Sequence, residues 1–120
     1  RWALEHSPTF RQQCRALAAA PRLRARVVIS FPPAIGALRA RTSITETRSG
    51  ILTANIEILS VLDLTELIAH EFEHVLEYLE GVDHRRSGTM LSHDAYETDR
   101  AMDAGTRVAR EVRKRWRTQR

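Results

Sequence analysis

The chain has 120 residues, which is enough for one domain, residues 1–120, with a modest core that needs no disulfide. Hydrophobic residues make up 42% of the chain and charged residues 28%, and the net charge is +4 at pH 7, so the composition excludes a disordered protein. The single cysteine, Cys14, excludes an intrachain disulfide and a cysteine-only zinc site. No apolar run approaches the roughly 20 residues of a membrane helix, so no membrane span is predicted.

The first elements predicted in chain order are a helix and a strand. Ser7 followed by Pro8 is typical of an N-cap and a first helical position, and the helix should end before Pro21. The run 25–31 is rich in β-branched residues and predicts a strand, which the following pair of prolines closes.

A hairpin is predicted next. The threonine-rich segment 37–46 and the apolar segment 51–59 flank a turn signal at 48–50. Two such segments around a short turn favour a pair of antiparallel strands.

Two helices are predicted in the second half of the chain. Asp63, with Glu66 three residues on, indicates a helix start of the capping-box type, and Gly81 indicates the end of that helix. After a polar loop, a last helix is expected from near Asp94 to about Trp116. The order of helix, strand, hairpin, helix and helix predicts an α+β fold.

The helix predicted before Gly81 carries a metal-binding pattern, HEFEH, from His70 to His74. Residues four apart on a helix lie one turn apart on the same face, so these two imidazoles can bind one zinc ion. Glu71, next to the first histidine, can then reach a water that the metal activates. The pattern therefore predicts a zinc site with Glu71 as the catalytic base.

The position of Glu71 around this helix supports that role. At about 100° per residue, the apolar side chains fill one arc and the other glutamates share a different arc, which we interpret as the solvent face. The glutamates assigned to that solvent face are Glu66, Glu73, Glu77 and Glu80. Glu71 falls in the apolar arc instead, where a carboxylate is costly unless it has a partner.

Glu97 is the predicted third metal ligand. On the last helix it shares the apolar stripe with the small residues Ala101 and Ala104, which would let this helix approach another closely. A glutamate carried on such a face suits a zinc ion held by two histidines. His84, His93 and Asp94, which lie in or beside the preceding loop, remain alternatives.

With these residues the chain resembles the gluzincins, the zincin metallopeptidases that combine H-E-x-x-H with a distant glutamate on a following helix. The resemblance implies a zincin-like α+β fold, with a small antiparallel-edged sheet, an N-terminal helix, the H-E-x-x-H helix and a C-terminal helix. It also implies Zn²⁺ as the cofactor, with His70, His74 and Glu97 as ligands and Glu71 as the general base.

The resemblance carries two further expectations and one departure. The strand ending at Leu59 would be the sheet edge that pairs with an extended substrate. Segments 70–81 and 96–101 also resemble small exported bacterial zincins, which slightly favours an exported or periplasmic location over a cytoplasmic one. Many gluzincins place an aspartate at the position of Ala101 to support a histidine. The support would therefore come from elsewhere, and the candidates are Asp99, Asp103 and a backbone carbonyl.

The predicted function is hydrolysis of peptides or proteins by a zinc-activated water, with Glu71 as the general base. Tyr96, His93 or Arg100 would stabilise the oxyanion of a tetrahedral intermediate. The alternative is a non-catalytic zinc-binding module or a regulatory domain of a larger assembly, and a homo-oligomer or partner protein would complete the cleft. We interpret the arginine-rich stretch 107–120 as a solvated helix end, so nucleic acid is not an expected partner.

Overall fold

The chain folds as helices and strands in an α+β order. A computed structural model of the protein describes residues 2–29, 40–59, 63–81, 89–92 and 95–119. The elements are α1 (Trp2–His6), α2 (Pro8–Ala19), β1 (Leu23–Ile29), β2 (Ala40–Glu46), β3 (Leu52–Ile58), α3 (Leu64–Leu79), β4 (Thr89–Ser92), β5 (Ala95–Glu97) and α4 (Asp99–Gln119). In these described ranges, no helix combines the length and the apolar character that crossing a bilayer requires.

The predicted N-terminal helix is confirmed as α2. Ser7 is its N-cap, and the Ser7 hydroxyl accepts a hydrogen bond of 3.1 Å from the backbone N–H of Phe10. Pro8 occupies the first helical position, where its missing N–H is not needed. The helix ends at Ala19, ahead of Pro21.

Within the described ranges, the main sheet has three strands in the order β1, β3, β2. β2 and β3 form the predicted antiparallel hairpin, and β1 runs parallel to β3 on its other side. The prediction that the strand ending at Leu59 forms an edge is therefore wrong, because β3 is central. Its residues Ala54, Ile56 and Ile58 are fully buried, as expected for a strand that is paired on both sides and covered on one face. Among the strands that the structure describes, β2 is the antiparallel edge.

The hydrophobic core lies between this sheet and α3. The buried residues of the main cluster are Leu17, Ala54, Ile56, Ile58 and Val75. Apolar residues of α3 pack against this cluster, which fixes the rotation of α3 about its own axis and therefore the direction in which its polar residues point.

The start of α3 differs from the predicted capping box. Asp63 has a left-handed backbone with φ of 54° and makes no side-chain capping hydrogen bond, so it cannot form the reciprocal bonds of that motif. The end of the helix is as predicted, because Gly81 follows it with a positive φ of 80°.

The last helix begins later than predicted, at Asp99, and Glu97 is not part of it. A short antiparallel hairpin of β4 and β5 precedes the helix, and Glu97 is the last residue of β5, opposite Thr89. The hydroxyl of Thr98 accepts a hydrogen bond of 3.1 Å from the backbone N–H of Ala101, which places Thr98 at the N-cap of α4.

Helices α3 and α4 approach each other closely, as the small residues of α4 predict. Ala101 and Val108 are fully buried, and Gly105 faces α3. A Cβ atom at Gly105 would lie 3.0 Å from the carbonyl oxygen of Glu66 and 3.3 Å from the Cβ of His70. The helix that carries the histidines is therefore held against α4 at a position where only a hydrogen atom fits well.

The prediction that these glutamates of α3 face solvent is wrong for Glu77 and Glu73, whereas Glu80 is exposed as predicted. Glu77 is only 2% exposed. Glu73 is covered by neighbouring helices, where its carboxylate accepts hydrogen bonds from Gln13 of α2 (2.8 Å) and Arg100 of α4 (2.6 Å). Glu80 is exposed and pairs with Arg100. Gln13 on α2 and Arg100 on α4 bind the carboxylates of Glu73 and Glu80, and periodicity within α3 alone could not reveal those two partners.

A carboxylate also ties the start of α2 to α4. Glu111 accepts hydrogen bonds from the hydroxyl of Ser7 (2.6 Å), the backbone N–H of Thr9 (3.0 Å) and the hydroxyl of Thr9 (2.8 Å). Partial burial opposes ionisation of Glu111, but these hydrogen bonds more than offset it and lower its pKa.

We expect Gly105→Ala to lower the free energy of unfolding by about 1 kcal/mol. Forcing a methyl group into a tight contact costs about 1–3 kcal/mol, which outweighs the gain of about 1 kcal/mol in helix propensity. Denaturant titration measures the change. Thr106→Ala, at an exposed neighbouring position on α4, is the control and should not destabilise the protein. A Gly105→Ala variant as stable as this control would contradict the close approach.

We expect Glu111→Gln to lower the free energy of unfolding by about 1 kcal/mol at pH 7. A group with a lowered pKa stabilises the fold above its unfolded pKa of about 4.3, and this contribution is lost as the pH falls through the folded value. The difference between variant and wild type should therefore shrink below about pH 4 in urea titrations. Glu46→Gln, at an exposed position on β2, should show no such pattern.

Candidate metal centre

His70, Glu71 and His74 form a cluster on α3 that could hold a metal ion. One ligand atom from each of the three lies within 4.8 Å of the others. The two imidazole rings are 5.0 Å apart between centroids and inclined at 66°. The cluster is largely enclosed, with Glu71 6% and His74 8% exposed. The spacing of four residues along the helix therefore brings these side chains together, as the sequence predicts.

Glu97 reaches the same place from the end of β5. Its Oε1 atom lies 2.6 Å from Nε2 of His70 and 3.5 Å from Nε2 of His74. Burial opposes ionisation of Glu97, but hydrogen bonds from the two histidines and their positive charge lower its pKa to about 2. Glu97 therefore lies beside the histidines as predicted, but it is carried by the end of a strand and not by the predicted helix face.

The donor atoms are of the kind that bind zinc. Two imidazole nitrogens and one carboxylate oxygen are a known ligand set for zinc sites. Two ligands at about 2.0–2.1 Å from a tetrahedral zinc are separated by roughly 3.3 Å, close to the distance between His74 and Glu97. The shorter contact between His70 and Glu97 is a hydrogen bond, in which Nε2–H donates to the carboxylate. His70 would have to release this proton to bind a metal.

Glu71 has a different environment from Glu97. The hydroxyl of Thr42, on β2, donates a hydrogen bond of 2.7 Å to Oε1 of Glu71, while Oε2 lies 3.8 Å from Nε2 of His70. Thr42 was not among the site residues predicted from the sequence. The available signal was the alternation along β2, which puts Thr42 on the same face as Ala40 and Ile44, the face that packs against the core.

His74 is oriented by a carboxylate of its own helix. Its Nδ1–H donates a hydrogen bond of 2.9 Å to Oε1 of Glu77, which directs Nε2 towards Glu97. Burial opposes protonation of His74, but the hydrogen bond with Glu97 and the charges of Glu71, Glu77 and Glu97 more than offset it and raise its pKa.

The carboxylate that contacts His74 belongs to neither of the predicted aspartates. Asp99 and Asp103 are exposed on α4, whereas Glu77 makes the contact. The signal for Glu77 was its position three residues after His74, which puts both side chains on one helix face.

The other residues predicted as metal ligands or oxyanion stabilisers are His84, His93, Asp94, Tyr96 and Arg100. His84, His93 and Asp94 lie outside the described residues, as does the side chain of Tyr96. Arg100, a candidate for stabilising an oxyanion, binds Glu80 and Glu73, and those hydrogen bonds raise its pKa above its usual value. Its guanidinium is therefore engaged by those two carboxylates of α3.

Comparison of the chain with protein-family models, with curated proteins and with solved structures found no match in any of the three.

We expect Glu97→Ala to weaken the binding of a divalent metal ion by roughly a hundredfold or more. Changing an outer partner of a metal ligand already costs about 10–100-fold, and Glu97 lies directly against both Nε2 atoms. Competition with a chromophoric chelator measures the affinity, and His70→Ala and His74→Ala should behave alike.

The controls for this experiment are the alternative ligands. Asp94→Asn and His93→Ala should bind the metal as tightly as the wild type. Loss of metal by His93→Ala with full retention by Glu97→Ala would replace Glu97 with His93 as the third ligand.

Proposed function

We propose that the protein is a zinc-dependent hydrolase of zincin-like fold that cleaves peptide bonds. The observation that carries this proposal is the position of Glu71. Its carboxylate is buried beside two histidines, and its Oε1 atom accepts a hydrogen bond from Thr42. A carboxylate of this kind near a metal, but fixed by a neighbouring hydroxyl, suits a general base better than a ligand.

The different roles proposed for Glu97 and Glu71 follow from the contacts of their carboxylates. Glu97 faces both Nε2 atoms and would complete the ligand set with His70 and His74. Zinc held at this position would lower the pKa of a bound water to roughly 7, far below that of bulk water, and would polarise the scissile carbonyl. Glu71 would take a proton from that water through Oε2 and later pass it to the leaving amine, while Thr42 keeps the carboxylate in place.

The edge strand β2 supports peptides as the substrate class. One edge of β2 pairs with β3, and within the described ranges its other edge pairs with no strand. An extended peptide recognises such an edge through main-chain hydrogen bonds. Because Thr42 belongs to this strand and contacts Glu71, a peptide added there would run beside the proposed base. The edge role that sequence analysis gave to the strand ending at Leu59 is therefore proposed for β2.

We expect Glu71→Gln to abolish hydrolysis while zinc binding is retained. Loss of a general base costs on the order of 10² to 10⁴ in rate, and the amide can still accept the hydrogen bond from Thr42. Cleavage of a peptide library, followed by mass spectrometry, measures activity, and elemental analysis measures the bound zinc.

Glu80→Gln is the matched control for this test. Glu80 lies at the end of the same helix, is exposed and pairs with Arg100, so the variant should keep both zinc and activity. Loss of zinc from Glu71→Gln would make Glu71 a ligand, and undiminished cleavage would remove it from the mechanism. Zinc binding by the wild type without cleavage of any peptide would favour a non-catalytic zinc module.

A further inference from the structure

Thr98 makes three hydrogen bonds at the point where β5 gives way to α4. Its backbone N–H donates to Oε1 of Glu97 at 3.1 Å, and its hydroxyl donates to Oε1 of Glu77 at 3.0 Å. The same hydroxyl accepts the bond from the N–H of Ala101 that caps α4. One residue therefore contacts two carboxylates and a helix start at once.

Both carboxylates contact histidines of the candidate metal centre. Glu97 lies against Nε2 of His70 and His74, and Glu77 holds the opposite nitrogen of His74. Polar contacts thus form a closed ring of four residues, which are His74, Glu77, Thr98 and Glu97. Movement of any one of them changes the position of a metal donor.

These contacts are largely shielded from water. Glu77 is 2% exposed and Thr98 is 4% exposed, so solvent compensates poorly for a hydrogen bond lost between them. This ring of contacts joins α3 to the start of α4. The position of the metal donors and the capping of α4 therefore both depend on the Thr98 hydroxyl.

We propose that Thr98 is a positioning residue for the metal centre, which acts through Glu77 on His74 and through its backbone on Glu97. This inference rests on the proposed zinc site. It predicts that zinc affinity depends on the Thr98 hydroxyl, although Thr98 itself is not a ligand. Capping of α4 alone requires only an acceptor for the N–H of Ala101, whereas the bond to Glu77 also requires a proton to donate.

The test compares the zinc affinity of Thr98→Val and Thr98→Ser with that of the wild type, by competition with a chromophoric chelator. Valine keeps the shape and loses the hydroxyl, so the affinity should fall by about 10–100-fold. Serine keeps the hydroxyl and should restore the affinity of the wild type. Ser7→Ala removes a buried N-cap hydroxyl from α2 and should leave zinc affinity unchanged, which separates positioning from a general loss of capping.

A double-mutant cycle with Glu77 tests the route through His74. Glu77→Leu fills the buried site with an apolar side chain and should weaken zinc binding by a similar factor of about 10–100. The double variant Glu77→Leu with Thr98→Val should be little weaker than either single variant, because both remove the same contact. Circular dichroism of the zinc-free proteins checks folding, and if Thr98→Val does not fold, Glu77→Leu and Glu77→Gln carry the test. The amide of Glu77→Gln can accept both hydrogen bonds and should retain most of the affinity.

The outcomes separate this inference from the proposed function. A wild-type protein that binds no zinc rejects the metal site and the inference together. A wild type that binds zinc, with a folded Thr98→Val or Glu77→Leu that binds it equally well, overturns the positioning role alone. Independent, multiplicative effects in the double variant would also overturn it.

Discussion

The site depends on the packing of α4 against the histidine-bearing face of α3. At Gly105 the two helices come so close that a Cβ atom would contact the backbone of Glu66 and the Cβ of His70. This proximity brings the start of α4, with Glu97 and Thr98 directly before it, to the two histidines. On its other side α3 packs on the sheet, which brings Thr42 to Glu71. The layered packing of α4, α3 and the sheet thus assembles the site from residues that are far apart in sequence.

The arrangement concentrates negative charge around two imidazoles. Glu71, Glu77 and Glu97 all lie within ion-pairing distance of His70 or His74, and none of the three is exposed. Carboxylates are costly to bury unless opposite charge or hydrogen bonds compensate them. Here each carboxylate is stabilised by a histidine, and each also accepts a hydrogen bond from a threonine, either Thr42 or Thr98. A divalent cation would add to the positive charge that these carboxylates require.

The sequence was sufficient for features that depend on local periodicity. Two histidines four residues apart on a strongly amphipathic helix, the proline-marked start of α2 and the hairpin of β2 and β3 were all predicted correctly, because each is determined by neighbours in sequence. The small residues of α4 also correctly indicated a close helix contact.

Features that depend on partners elsewhere in the chain could not be predicted in this way. The burial of Glu77 depends on His74 together with Thr98, and the central position of β3 depends on a parallel partner strand. The strand β5 has only three residues, which is too short for an alternation of apolar and polar residues to be recognised beside the helical pattern that follows it. As a result, Glu97 was placed on a helix face when it belongs to a strand end.

The direct succession of Glu97 and Thr98 has a consequence for how such a site could vary among relatives. The carboxylate and the helix cap form one short unit, held by pairing with β4 and by the start of α4. Because pairing with β4 and the start of α4 hold this unit, its position does not require a fixed interval in sequence between the histidines and the glutamate. A single residue inserted between Glu97 and Thr98 would instead change the fixed offset between the carboxylate and the helix cap, so the two could not both keep their present contacts. Relatives of this chain are therefore better sought by a glutamate followed at once by a capping residue than by any fixed spacing from the histidine pair.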